Sequence, residues 1–258
     1  MVIFHDMSYP PADSVRRLHI YLPDGYDDSD ERYPVMYMFD GHNLFFDDHA
    51  TYGKSWGLKD FLDSWEKPLI VVGMECCHEG QGRLDEYCPY RATVVGHRIE
   101  PLGKETFRWI VDDVKPWADE HLRTWPHREA TGIAGSSMGG IMSLYGVIAH
   151  NDVFGKAASL ATGVKRYERD LMRDLKSADI DPDTRVYLSF GEDEKGRTAK
   201  GADPAVASPE AKATARVTDV LEARGARTCI YFQAGGRHNE ASWEQQNERW
   251  LRFLWLGA

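Results

Sequence analysis

The chain has 258 residues, with 41 acidic against 31 basic side chains and a net charge of −10. That length suits one α/β domain able to bury roughly 70–75% of its unfolded surface, and the acidity disfavours nucleic acid or an anionic membrane as partner. No apolar stretch approaches the roughly 20 residues that cross a bilayer. Met1–Asp6 has neither a basic nor a long apolar leader region, so a cytoplasmic location is expected.

Strand-like runs, apolar and β-branched, occur in chain order at Arg17–Leu22, Val35–Phe39, Leu69–Met74, Thr131–Ala134, Ala157–Leu160, Val186–Phe190 and Cys229–Phe232. Helical patterns lie between them. Phe107, Ile110, Val111, Val114 and Trp117 recur at the spacing of one buried helix face. Ser208-Pro209 reads as an N-cap with proline at the first helical position, and Trp243, Trp250, Leu251 and Leu254 suggest a last helix packed on the sheet. Strands alternating with helices imply a mainly parallel, twisted sheet with helices on both faces. Met1–Leu22 is expected to add antiparallel edge strands, and no gap is long enough for a separate lid domain, so residues 1–258 read as a single domain.

Gly135-Ser136-Ser137-Met138-Gly139 lies between the apolar run ending at Ala134 and the helical segment Ile141–His150. In a strand–turn–helix setting, G-x-S-x-G is a nucleophile elbow that presents a serine hydroxyl at the top of a sheet. Such a pattern arises by chance in roughly one chain of this length in ten, so the assignment depends on partners downstream. A serine needs a base to take its proton and a third group to orient that base, in the order Ser, acid, His. Only His150 and His238 follow Ser137, and His150 ends the helix that begins at the elbow. His238 therefore fits, in a turn after Thr228–Phe232. The acid is expected in Gly191-Glu192-Asp193-Glu194, after the strand Val186–Phe190, where spacing alone does not separate Asp193 from Glu194.

Three further stretches carry a resemblance. They are Tyr33-Pro34-Val35-Met36-Tyr37-Met38-Phe39-Asp40-Gly41-His42-Asn43-Leu44-Phe45, then Arg83-Leu84-Asp85-Glu86-Tyr87-Cys88-Pro89-Tyr90, and Gly236-Arg237-His238-Asn239-Glu240-Ala241-Ser242-Trp243. With the elbow, and in this order, they resemble the bacterial esterase family of α/β-hydrolases. That family includes feruloyl esterases, S-formylglutathione hydrolases, enterochelin-type siderophore esterases and mycolyltransferases. The likeness runs from about Arg17 to Trp250. It implies an α/β-hydrolase fold and a serine esterase acting without a cofactor. Its acid commonly stands three residues after a strand-ending glycine, which points to Glu194, with Asp193 as the fallback. It also implies an oxyanion hole from the backbone amides of Met138, after the nucleophile, and His42, after Asp-Gly.

The segment from His78 to Arg98 lacks periodicity and is rich in glycine, aromatic and basic residues, as ligand-contacting loops often are. Trp56, Tyr87, Tyr90 and Arg91 are candidate substrate contacts there and nearby. No metal is expected. His42, Asp47, Asp48 and His49 lack a ligand-like spacing, and Cys76-Cys77-His78 follows a strand where burial is the plainer reading. The four cysteines, 76, 77, 88 and 229, show no C-x-x-C and are expected as free thiols. The expected partner is a small soluble ester, aromatic or short acyl. Homo-oligomerisation, and transfer of the acyl group to another alcohol in place of water, are left open.

Overall fold

The structure, a computed structural model, describes residues 1–257. By its internal contacts the chain divides into two compact units, Met1–Gly132 and Ile133–Ala258.

The first unit opens with β1 (Val2–Tyr9) and β2 (Ser14–Tyr21), an antiparallel pair from Val2 opposite Tyr21 to Tyr9 opposite Ser14. Next come β3 (Val35–Phe39), α1 (Leu58–Asp63) and β4 (Ile70–Met74). β3 and β4 are buried along their whole length, as their unbroken apolar sequences require. They pair in parallel, with Val35 opposite Ile70 and Phe39 opposite Met74, while β2 runs antiparallel to β4. The strand order is therefore β1-β2-β4-β3, with the expected antiparallel strands at the N-terminus. After α2 (Gly82–Glu86) a short hairpin, β5 (Thr93–Val94) and β6 (His97–Arg98), interrupts the aperiodic segment. The amphipathic run around Phe107 becomes α3 (Gly103–Trp109) and α4 (Lys115–His121), joined by one π turn over Ile110–Val114. Pro116 sits in the first turn of α4 and has no N–H to donate, which suits a local widening of the helix just before it.

The second unit is built on β7 (Thr131–Ser136), α5 (Met138–Ala149), β8 (Lys156–Leu160), α6 (Val164–Ser177) and β9 (Arg185–Gly191). It continues through α7 (Pro204–Ala207), α8 (Pro209–Glu222) and β10 (Arg227–Gln233) to α9 (Glu240–Glu244) and α10 (Asn247–Leu251). Its strands follow the order β7-β8-β9-β10, and β8, β9 and β10 are parallel. Ser208 caps α8 as its sequence predicts, its hydroxyl accepting the Ala211 N–H at 3.1 Å. The four cysteines are free thiols.

Every strand expected from the sequence is present, with ends within three residues of the expected ones. No helix among the described residues is long and apolar enough to cross a membrane.

Candidate active site

Ser137 is the single residue between β7 and α5, and it holds φ 55° and ψ −119°. A non-glycine residue in that region costs on the order of 1–3 kcal/mol and persists only where its surroundings over-determine it. Here they do. The Ser137 N–H donates to the Leu160 carbonyl at the end of β8 (2.8 Å), and its own carbonyl accepts from Gly140 and Ile141 (3.1 and 3.2 Å). The turn is also too tight for a side chain at Gly135, whose Cβ would lie 2.7 Å from the Gly139 carbonyl carbon. Met138 is the first residue of α5, where backbone N–H groups have no acceptor one turn earlier and the helix end is electropositive. An oxygen acquiring negative charge beside Ser137 meets that end.

β9 and β10 are in register with Gln233 opposite Gly191, so the loops leaving them start side by side. A Cβ on Gly191 would lie 2.7 Å from the Gly236 carbonyl oxygen, and the Glu192 N–H donates to that same oxygen at 3.0 Å. This contact fixes one loop against the other. Glu194 then reaches His238, with Oε1 2.6 Å from Nδ1, while its Oε2 accepts the Gly191 N–H at 2.6 Å. Asp193 holds the same histidine by its backbone, accepting the His238 N–H at 2.8 Å. The two neighbouring acids thus divide the work, one orienting the ring and the other the main chain. The Glu194 side chain is 7% exposed and the Asp193 side chain 40%. Glu192 is turned aside in an ion pair with Lys195. Trp243 meets the His238 ring edge-on at 5.4 Å. His238 does not cap the following helix, because the Asn239 side chain does so. No hydrogen bond joins the Ser137 hydroxyl to the His238 ring among the described residues.

Glu210, at the start of α8, escaped the sequence reading. It is buried, with its carboxylate accepting the Val164 and Lys165 N–H groups that open α6 (2.5 and 3.1 Å). Burial pushes it up to about 7 against those two hydrogen bonds, and the nearby Glu194 charge adds to the rise. A glutamate one residue past an N-cap and proline resembles any first-turn acid, so only the tertiary structure reveals it.

The other site candidates lie in the first unit. Asp40 follows β3 at φ 59°, and Arg83 grips its carboxylate with two hydrogen bonds of 2.7 Å. Burial would raise the Asp40 carboxyl, but the guanidinium beside it holds it below the usual range. The Tyr87 hydroxyl donates to the Met74 carbonyl (3.1 Å) and accepts the Asp40 N–H (3.4 Å). Two of the stretches that carry the resemblance therefore meet as one network that shapes the turn leading to His42. The His42 ring is buried, with Nε2 2.9 Å from the Thr51 hydroxyl, and burial pushes it down to about 4. Asp47 accepts from the Ser55 N–H and hydroxyl (2.7 and 2.8 Å) and does not join His42 in a cluster of possible ligands. Trp56, Tyr87 and Tyr90 are 2%, 2% and 3% exposed, and Tyr87 in particular is a hydrogen-bonded strut. Arg91 is exposed, and lines an open pocket of about 700 Å³ with Thr93, Arg98, Ile99 and Glu100. That pocket includes none of Ser137, Glu194 or His238.

Comparison with known proteins places this geometry in context. The family described as "Putative esterase" matches residues 12–252. "Uncharacterized protein YbbA" of Bacillus subtilis (strain 168) is 25% identical over 248 residues, covering 93% of this chain and 92% of that protein. Among solved structures, an IroE-like serine hydrolase from Shewanella oneidensis superimposes with a TM-score of 0.73 at 18% identity, over 98% of this chain and 79% of that one. A ferulic acid esterase does so with a TM-score of 0.66 at 15% identity, over 98% and 97%. The fold is the α/β-hydrolase fold.

Proposed function

The chain belongs to the "Putative esterase" family, whose reaction is hydrolysis of ester bonds, and from that premise we propose a serine carboxylesterase working through Ser137, His238 and Glu194. The observation that carries this reading is the Glu194–His238 contact of 2.6 Å, within the same compact unit as the strained Ser137 turn. Ser137 attacks the ester carbonyl while His238 Nε2 takes the hydroxyl proton and returns it to the leaving alcohol. Glu194 holds the Nδ1 proton and stabilises the imidazolium as it forms. The Met138 N–H, at the electropositive end of α5, donates to the tetrahedral oxyanion. Water then attacks the acyl-enzyme with His238 again as base. The serine–histidine hydrogen bond closes when substrate is bound, since catalytic hydrogen bonds are often long in unliganded sites.

The substrate proposed is a small carboxylic ester with an aromatic acyl group of the hydroxycinnamate type. The resemblance and the likeness to a ferulic acid esterase support it. A panel of hydroxycinnamate, acetyl-sugar and catecholate trilactone esters tests the proposal, with a serine-directed phosphonate as inhibitor. Fastest turnover on the hydroxycinnamate, abolished by the phosphonate, is expected. A faster trilactone would move the assignment to a siderophore esterase, and acyl transfer to an added sugar would move it to an acyltransferase. No turnover on any ester, with no phosphonate labelling, would make the chain a binding protein of this fold.

A further inference from the structure

β3 and β4 end side by side, Phe39 opposite Met74, so the segments that leave them begin as neighbours. His42 lies just past the first strand and Cys76 and His78 just past the second. Each of the three offers a ligand atom, and these atoms all lie within 4.8 Å of one another. His42 and Cys76 are 7% and 3% exposed, while His78 is exposed. We propose that His42, Cys76 and His78 form a site for one transition-metal ion of the zinc type.

The buried imidazole carries the first argument. Its Nε2 is engaged by the Thr51 hydroxyl, whereas Nδ1 is buried with no hydrogen-bond partner. A buried polar atom left unpaired is destabilising, and an ion ligated by Nδ1 would remove that cost. The Thr51 contact would also serve as the outer-shell bond that orients a ligating histidine and fixes its tautomer.

The donor set selects the ion. One sulfur and two imidazoles suit zinc, cobalt or copper, whereas magnesium and calcium require oxygen ligands. Three protein ligands leave a fourth tetrahedral position for water. Metal–nitrogen bonds near 2.0 Å and a metal–sulfur bond near 2.3 Å place tetrahedral donors about 3.5 Å apart. The cluster must therefore tighten by about 1 Å, which rotation of the exposed His78 side chain supplies. Asp40, held by Arg83, also accepts the Cys76 S–H, a contact that the thiol gives up when its sulfur binds a metal. Glu75 stands beside the site, with Oε1 2.6 Å from His19 Nε2 and Oε2 3.6 Å from His78 Nε2. On binding, the Cys76 thiol releases its proton to solvent and the sulfur bonds as thiolate, while both imidazoles bind neutral. Burial and the Asp40 carboxylate keep the free thiol protonated, and a divalent cation reverses that balance.

Neither chain segment shows a metal spacing by itself, because the ligands come from two parallel strands joined only in the fold. The site uses no atom of Ser137, Glu194 or His238, and of His42 it uses the ring and not the backbone amide expected in the oxyanion hole, so the metal is read by its own spectrum and not by ester turnover.

Cobalt(II) chloride titrated into the full-length, chelator-treated protein tests it. One equivalent should produce a thiolate-to-cobalt charge-transfer band in the near ultraviolet and the intense visible bands of a four-coordinate centre. Cys76→Ser should remove the charge-transfer band, Cys77→Ser should keep it, and His78→Gln should weaken cobalt affinity at least tenfold. His78→Gln changes an exposed side chain, so it remains informative if Cys76→Ser folds poorly. Absence of the band, its survival in Cys76→Ser, its loss in Cys77→Ser, or unchanged affinity in His78→Gln would each overturn the site. Ester turnover measured alongside should be unaffected by the chelator. A loss there would count against the triad and leave the spectroscopic result standing.

Discussion

Glu194 and Asp40 are both carboxylates 7% exposed, each following a strand and each holding one cationic or ionisable partner. Their partners differ. Asp40 grips Arg83, which stays charged at any working pH, so that pair can hold a backbone turn but cannot move a proton. Glu194 grips His238, an imidazole with 42% of its side chain open to solvent. The same local electrostatics thus yield a brace in one unit and, in the proposed function, an acid–base device in the other. The identity and exposure of the partner decide which.

The largest effect should come from the group that the device serves. Ser137→Ala removes the covalent route and is expected to lower kcat by a factor on the order of 10⁴–10⁶ with KM little changed, read by steady-state kinetics on an aryl ester. Ser136→Ala, at the buried end of β7, should retain much of the activity. An essential Ser136 would refute the elbow assignment.

Next is the orienting acid. Glu194→Gln keeps the shape but cannot stabilise the imidazolium, and should cost about 10²–10⁴ in kcat. Asp193→Asn disturbs the hydrogen bond to the His238 backbone and an exposed ion pair with Arg237, and should cost less than about tenfold. The reverse ranking would transfer the orienting role to Asp193.

The brace should fail differently. Arg83→Met leaves Asp40 buried without its counter-charge. The loss is on the order of 2–4 kcal/mol, since the Arg83 side chain is 30% exposed and part of its pairing is screened. A fall in Tm of roughly 5–10 °C should follow. An unchanged Tm would show that the pair does not brace the turn.

Glu210 sharpens the contrast through pH. Its carboxyl is raised in the folded state from 4.5 to about 7, so the folded chain binds more protons than the unfolded chain between those values. The stability this confers is complete below about 4.5 and is lost as pH rises through about 7. Melting curves across that window should therefore fall less steeply for Glu210→Gln than for the parent chain. Parallel slopes would contradict the raised carboxyl.

What the sequence reveals here depends on how local the physics is. The elbow was legible because strand, glycines, serine and helix are contiguous, and the same holds for the Ser208 cap and for β3 and β4. Asp193 and Glu194 were not separable, since their difference lies in which side chain turns under His238 across a loop contact at Gly236. Glu210, and the meeting of His42 with Cys76 and His78, are not legible for the same reason: the partners come from distant segments. Trp56, Tyr87 and Tyr90 are ligand-contact candidates by residue type, and the sequence does not foretell that all three are buried, because aromatic loop residues also fill cores.

The nucleophile is the central claim, and mass spectrometry tests it most directly. The protein should be labelled to completion with a serine-directed phosphonate, digested, and the modified residue located. The triad predicts one adduct, on Ser137, with none formed in Ser137→Ala. An adduct on Ser136 or on another residue, or undiminished labelling of Ser137→Ala, would contradict it.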